Sequence, residues 1–424
     1  MKVAIVGGGI SGNVAGYYLQ KDHDVTLYEA NDYIGGHTHT HEIEHGTDRF
    51  NIDTGFIVFN YRTYPNFIKL LEELKVDVQA SNMGFGVKSE VDGLEYCGTG
   101  LNGVFAQRKN LLRPSFHRML LDILRFNRDA YEQSHGLSDD VTLGEFLRAG
   151  GYSTQFIDQY IIPMGAAIWS TIPEQMHDFP ARFFIRFFHN HGLLTVKDQP
   201  TWYVIKNGSR EYVRPLTEAF RDRVRLNAPV TKIRRFPGHV EIHADGQAPE
   251  QFDAVFIGAH ADQALGMLDE PTQLEQEVLS AFPYQLNEAV LHTDTSLLPE
   301  HRRAWAAWNY LLPEERNKLV TLTYNMNILQ GLESEEQYLV TLNNRQAIAE
   351  EKIIKTIDYT HPVFTPDSVS AQMKHAEVNG TRHTWYCGAY WRNGFHEDGV
   401  VSAINAVEHF NEYQHEQLSL RRAG

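Results

Sequence analysis

Residues 3–6, VAIV, open directly onto GGGISGNVAG, and this junction constrains the chain more than any other feature. Four apolar residues in a row suit a strand buried on both faces of a parallel sheet. Gly7, Gly9 and Gly12 then stand at the spacing G-x-G-x-x-G, with Gly16 four positions on. Gly7 permits a tight strand-to-helix turn, Gly9 lets the backbone approach a pyrophosphate, and Gly12 and Gly16 let the next helix lie close on the sheet. The helix start, at Ile10 and Ser11, presents free N–H groups and the positive end of its dipole to phosphates. A second strand, DVTLYEA at 24–30, ends in Glu29 and Ala30, with Glu29 22 residues after Gly7. A carboxylate there accepts hydrogen bonds from ribose hydroxyls. A lone glycine motif is weak, but strand, turn, helix, strand and acid occur here in order, which predicts a dinucleotide site. A glycine-rich turn without a ligand is the plain alternative.

Composition narrows the remaining classes. At 42% hydrophobic and 22% charged residues, the 424-residue chain has ample material for a large core and is not disordered. Its 38 Lys+Arg against 54 Asp+Glu give a net charge of -16, which argues against a nucleic-acid partner. The same charge disfavours broad attachment to anionic lipid. Two cysteines, Cys97 and Cys387, cannot build a disulfide framework. The opening MKVAIVGGG lacks a signal peptide's apolar core, and no apolar run has the length of a membrane span. The expectation is a cytoplasmic protein, with contact at the inner membrane surface a further expectation.

After Glu29 comes NDYIGGHTHT. Here the chain resembles the flavin superfamily of monoamine oxidases, protoporphyrinogen oxidase and carotenoid desaturases, in which a Gly pair after the ribose-binding acid lines FAD. The matching positions are Gly35, Gly36, His37 and Thr38, with His37 where many members carry Arg. Further segments extend the resemblance. NIDTGF at 51–56 corresponds to a loop beside the flavin, implying contacts from Thr54, Gly55 and Phe56. VTKI at 230–233 corresponds to a strand that reaches the adenine at Val230. DAVFIGAH at 253–260 corresponds to a buried strand whose end includes Ala259. TWYCGAYWRNGFHEDGVVSAINAV at 384–407 corresponds to the terminal FAD element, with Gly388 at the strand end and Glu397, Asp398, Gly399 and Val400 at the helix start. The chain is most similar to a narrower bacterial group of NAD/FAD-binding, amine-oxidase-like proteins carrying GGHTHT, YP, NGSREYV and GFHEDG, all present here. That group lies beside cyclopropane-fatty-acid-synthase-like methyltransferases, and some relatives desaturate methylated acyl chains. The resemblance therefore implies FAD, a small-molecule or lipid substrate, and a lipid methyltransferase as partner.

The expected fold class is α/β: a Rossmann-like FAD domain of the glutathione-reductase type interleaved with a sheet-plus-helical substrate domain. The FAD domain is assigned to 1–65, 200–268 and 375–424. The substrate domain takes 66–199 and 269–374, helical over 110–195 and mainly sheet over 285–345. Thr142 with Glu145 reads as a capping box, and Gly150-Gly151 as a helix stop.

Catalytic candidates are His396, an imidazole beside the terminal helix, Tyr390 and Trp391 just before it, and Tyr324 in TYNMN. Each has an ordinary alternative as core or cap. Amine oxidases of the superfamily often hold a lysine near the flavin; residues 287–310 contain none, and Lys318 starts the following stretch. This favours hydride removal from a carbon chain over amine oxidation. A non-catalytic flavin-binding partner of a lipid methyltransferase is a third reading. His37, His39, His41 and His45 cluster in sequence, but their pattern does not argue for a metal. Phe183, Phe184, Phe187 and Phe188 form one aromatic helix face. It reads either as domain core or as an acyl tunnel or membrane patch, with Arg182 and Arg186 beside it.

Overall fold

The computed structural model describes residues 1–46, 48–195, 199–314 and 319–423. Lys318 therefore lies outside the described residues, as does the side chain of His45.

The apolar run at the N-terminus forms the strand Lys2–Val6, the centre of a five-stranded parallel sheet. Asp24–Tyr28 and Val224–Arg225 lie on one side of it, and Ala254–Ile257 and Thr384–Tyr386 on the other. Val3, Ala4 and Ile5 are fully buried, as a strand covered on both faces requires. The helix Ile10–Leu19 packs tightly against this sheet. A Cβ on Gly12 would strike the Gly7 carbonyl oxygen, and one on Gly16 would meet the Phe220 ring at 2.7 Å. The terminal helix His396–Ala423 packs beside Ile10–Leu19, and a Cβ on Gly399 would meet Ile10 at 2.6 Å. Gly7, Gly258 and Gly388 thus sit together at the carboxyl ends of three adjacent strands, where open α/β sheets bind ligands.

A hairpin layer, Val230–Phe236, His239–Ala244 and Glu250–Phe252, covers one flank. Arg235 is fixed there by the Glu275 carboxylate at 2.5 Å, with both side chains essentially buried, and the Tyr386 hydroxyl donates to the same carboxylate at 2.6 Å.

A seven-stranded mixed sheet faces the Rossmann unit. Its order is Ile353–Pro362, Tyr284–His292, Leu339–Leu342, Thr321–Asn325, Trp308–Leu312, Phe85–Ser89 and Glu95–Cys97. Sheet structure thus reaches beyond 285–345 in both directions. The strand at 353–362 completes one edge, and the strands at 85–89 and 95–97 complete the other.

Helices Pro114–Ser134, Leu143–Ala149, Ile162–Trp169 and Ala181–Asn190 form the layer beside this sheet. Thr142 and Glu145 make the expected reciprocal capping box, and Gly150 ends that helix. The aromatic face of Ala181–Asn190 lies inside this layer. Phe183, Phe184, Phe187 and Phe188 are buried, packed on Trp169, Phe364 and Phe395. The membrane-patch reading of this helix is therefore corrected. Each Phe removes enough apolar surface from water to be worth about 1.5–3 kcal/mol, and the core takes all four. Arg182 pairs with Asp139, and Arg186 lies over the Phe183 ring. No described helix is long and apolar enough to cross a membrane.

Candidate cofactor cleft and active site

A cleft of about 610 Å³ runs along the carboxyl ends of the parallel strands. Of the residues singled out in the sequence, Gly7, Gly9, Ile10, Ser11, Glu29, Ala30, Gly36, His37, Phe56, Val230, Ala259, Gly388 and Tyr390 line it. They come from seven separate stretches of chain.

The glycine turn is held by side chains the motif itself specifies. Glu29 is buried; its Oε2 accepts the Gly8 N–H at 2.7 Å and its Oε1 accepts the Asn31 backbone N–H at 2.9 Å. Gly35 donates its N–H to the Gly8 carbonyl at 2.8 Å and has φ +138°, which favours glycine. The second Gly pair is thereby hooked onto the first.

The loop at 51–56 forms the opposite wall. A Cβ on Gly55 would strike the His37 carbonyl, and the Phe56 N–H donates to that carbonyl at 2.8 Å. Thr54 bonds the Tyr359 hydroxyl at 2.7 Å and Thr38 bonds the Tyr212 hydroxyl at 2.5 Å. Both threonines fasten the wall from behind. Asp53 anchors the loop to the segment NGSREYV: its fully buried carboxylate accepts the Ser209 N–H at 3.0 Å and the Ser209 hydroxyl at 2.8 Å. Burial pushes this carboxyl up to about 6, against the opposing pull of its Thr40 and Ser209 hydrogen bonds.

Several residues stand away from the cleft, contrary to the sequence expectation. His396 is 2% exposed, stacked on Phe67 with ring centroids 4.6 Å apart and bonded through Nε2 to the Tyr212 hydroxyl at 3.0 Å. It supports Phe56 from behind, and burial pulls it down to about 3. Trp391 stacks on His375 at 4.3 Å and packs on Phe282. Tyr324 lies across from Trp308 in the seven-stranded sheet, with rings 5.0 Å apart. None of the three reaches the cleft wall.

The terminal helix start is likewise structural in its side chains. Glu397 accepts the backbone N–H groups of Asn66 and Phe67 at 3.2 and 2.8 Å, capping the helix Pro65–Glu73 across 330 residues of sequence. Asp398 accepts the Phe395 N–H at 2.9 Å, capping its own helix, and burial holds it up to about 6. Val400 is fully buried, and Gly399 and Gly12 serve helix packing.

Sequence reasoning missed one wall altogether. The strand Ile353–Pro362 contributes Tyr359, Thr360 and His361, and His260 follows Ala259. The His37 ring lies 5.7 Å from His260, 5.3 Å from His361 and 4.8 Å from Tyr359. Burial pulls His37 and His361 down to about 3 and His260 to about 4, with neighbouring histidines adding to the effect. All three are neutral at pH 7. The Asn287 amide N–H donates to His361 Nδ1 at 2.9 Å, which leaves the imidazole proton on Nε2. Of the His37–His41 series, the His39 and His41 rings pack on each other at a tilt with centroids 4.0 Å apart, while His37 turns to the cleft. Among the described residues, no three His, Cys, Asp or Glu side chains gather as metal ligands.

Two observations test the cleft against a dinucleotide. His37 Nε2 is buried without a hydrogen-bond partner in the protein. Gly9 has an ordinary φ of -72°, and a Cβ there would meet no atom within 4 Å. Neither backbone strain nor packing within the protein calls for glycine at that position. A phosphate lying against the backbone does.

A parallel sheet with a glycine turn, a buried acid at the second strand end and a cleft along the strand ends defines a dinucleotide-binding protein. The chain belongs to the flavin containing amine oxidoreductase family, whose model matches residues 10–326. It is an FAD-dependent oxidoreductase. Solved structures share the fold at low identity. A putative protoporphyrinogen oxidase from Exiguobacterium sp. 255-15 is 18% identical with a TM-score of 0.68, over 96% of this chain and 98% of that one. Putrescine oxidase bound to putrescine is 15% identical with a TM-score of 0.70, over 97% and 99%. The CLA-producing fatty acid isomerase from P. acnes is 17% identical with a TM-score of 0.68, over 96% and 98%. No curated protein matches this sequence.

Proposed function

We propose that this oxidoreductase removes hydride equivalents from a hydrophobic substrate, a lipid acyl chain. The observation that carries this reading is the neutrality of the cleft wall formed by His37, Phe56, His260, Tyr359, His361 and Tyr390. Its imidazoles are held uncharged by burial, and the rest of the wall is aromatic. An ammonium substrate calls for a carboxylate that compensates its charge, and none stands among these six residues. A methylene chain needs only an apolar surface and a neutral polar group to set its register. Likeness in fold to a fatty acid isomerase is in keeping with such a substrate.

FAD, when bound, would supply the acceptor for the hydride, with an external oxidant needed to take the electrons on. The chain's own residues do the positioning. Glu29 holds the glycine turn through the Gly8 N–H. The His361 Nε2–H and the unpartnered His37 Nε2 offer hydrogen bonds from the wall. Phe56, backed by His396, closes the side against water.

Lipid mass spectrometry of cells with and without the gene tests the reading. Loss of a set of acyl unsaturations on deletion is expected. Unchanged acyl chains, with peroxide and aldehyde released by the purified protein from polyamines, would replace it with amine oxidation.

A further inference from the structure

The described residues expose fourteen large apolar side chains, and five of them fall within the 24 residues 101–124: Leu101, Leu111, Leu112, Leu121 and Leu124. Scattered exposed leucines are ordinary, but a concentration of this kind is not. Leu112 is 88% exposed and Leu101 78%, so neither is a partly covered core residue.

The fold brings the five together. Leu121 and Leu124 stand with His117 and Arg128 at successive spacings of four, three and four residues on the helix Pro114–Ser134, which is one face. His117 bonds the Leu111 carbonyl at 2.9 Å, which places the Leu111–Leu112 turn at the N-terminal end of that face. Phe105, in the turn that ends the helix Gly100–Val104, packs on His117 with ring centroids 6.0 Å apart and brings Leu101's helix to the same end.

The charge around these leucines runs against that of the molecule. Residues 101–125 contain five Arg or Lys and one acid, Asp122, in a chain of net charge -16. Asp122 is 2% exposed and already engaged by Arg118 and Arg125. Arg108 donates only to the Phe105 carbonyl and the Asn102 side chain, and among the described residues neither Lys109 nor Arg113 pairs with a carboxylate. Exposed leucines between unpaired cations are the chemistry of a helix lying at a lipid headgroup boundary.

We propose that the surface formed by residues 101–124 docks the protein on an anionic phospholipid bilayer, with the leucines entering the headgroup region and Arg108, Lys109 and Arg113 meeting lipid phosphates. The rest of the molecule is acidic, so attachment is local and oriented.

The test is co-sedimentation of the FAD-loaded full chain with vesicles of phosphatidylcholine, with or without phosphatidylglycerol. Binding is expected only with phosphatidylglycerol and should weaken as salt rises. The pair Leu112→Ser and Leu121→Ser should lower partitioning about tenfold for each leucine. The triple change of Arg108, Lys109 and Arg113 to Gln should lower it about fivefold for each charge. Leu286→Ser, at an exposed leucine of the strand Tyr284–His292, should leave binding unchanged, and every variant should keep its flavin spectrum. Equal binding to both vesicle types, or an equal loss with Leu286→Ser, would overturn the proposal. So would a dimer that the leucine variants dissolve without any vesicle binding. Vesicle binding is read without turnover, so it stands or falls separately from the acyl-chain reading.

Discussion

Gly9→Ala separates what the fold needs from what the cofactor needs. In the protein alone, the added methyl points into the cleft and meets nothing within 4 Å, at a backbone angle that alanine adopts freely. Two small effects on folding oppose each other. Alanine lowers the entropy of the unfolded chain, a gain of about 0.4–1 kcal/mol. It is also a poorer helix N-cap than glycine, a loss of similar size. Stability of the FAD-free protein should therefore change by less than about 0.5 kcal/mol, or about 0.6 °C in melting temperature. Binding should respond very differently. A methyl that holds a phosphate off one helix N–H removes a charge-assisted hydrogen bond, about 1.5–3 kcal/mol, or about 10- to 150-fold in Kd. Gly12→Ala is the counterpart: its Cβ would strike the Gly7 carbonyl, and the cost of about 1–3 kcal/mol should fall on the fold itself. Thermal melts of the stripped protein and flavin-fluorescence titration measure the two quantities. Undiminished FAD affinity in Gly9→Ala would refute the assignment of this turn to the pyrophosphate.

Glu397→Gln should destabilise the protein by about 1–2 kcal/mol by weakening the cap of the helix Pro65–Glu73, with little change in the flavin spectrum at saturation; a selective loss of FAD affinity would contradict the capping role. Arg235→Ala leaves the Glu275 carboxylate buried without its cation and should cost about 3–5 kcal/mol in urea unfolding; a cost below about 1 kcal/mol would show that the Tyr386 hydroxyl and the Thr272 N–H, which donates to the same carboxylate at 2.7 Å, suffice. Stability should fall on acidification from neutrality. His37, His191, His260, His361, His375 and His396 have folded values of about 3 or 4 against an ordinary 6.5, so below that value the unfolded chain takes up protons that the folded one refuses. Each such group contributes a slope of up to about 1.4 kcal/mol per pH unit between its folded and unfolded values. Asp53 and Asp398, raised to about 6, act in the opposite sense but are outnumbered. A melting temperature that rises between pH 7 and pH 5 would refute this balance.

Much of the cofactor half was legible because its signals are local. Gly7, Gly9 and Gly12 act within one turn, and Glu29 reaches Gly8 through a single strand pairing. Thr142 and Glu145 cap one helix within four residues. The errors came where identical residue types serve two purposes. Glu397 and Asp398 sit where a phosphate would welcome a helix start, yet their carboxylates cap helices. Four phenylalanines on one face satisfy core and membrane patch equally in sequence, and only their neighbours Trp169, Phe364 and Phe395 decide.

By itself, the sequence determined the dinucleotide half of this protein: the strand, the glycine turn, the acid that supports it, and the family those motifs mark. These rest on steric and hydrogen-bonding demands between residues near in sequence, or on motifs specific enough to be read singly. The tertiary structure alone decided the active-site wall and the outer surface. His37, His260 and His361 meet at the cleft only because segments far apart in the sequence converge there. Leu112 and Phe187 each stand between an apolar residue and an arginine. Whether such a residue faces solvent or core depends on what packs over it, and packing is a property of the assembled layers.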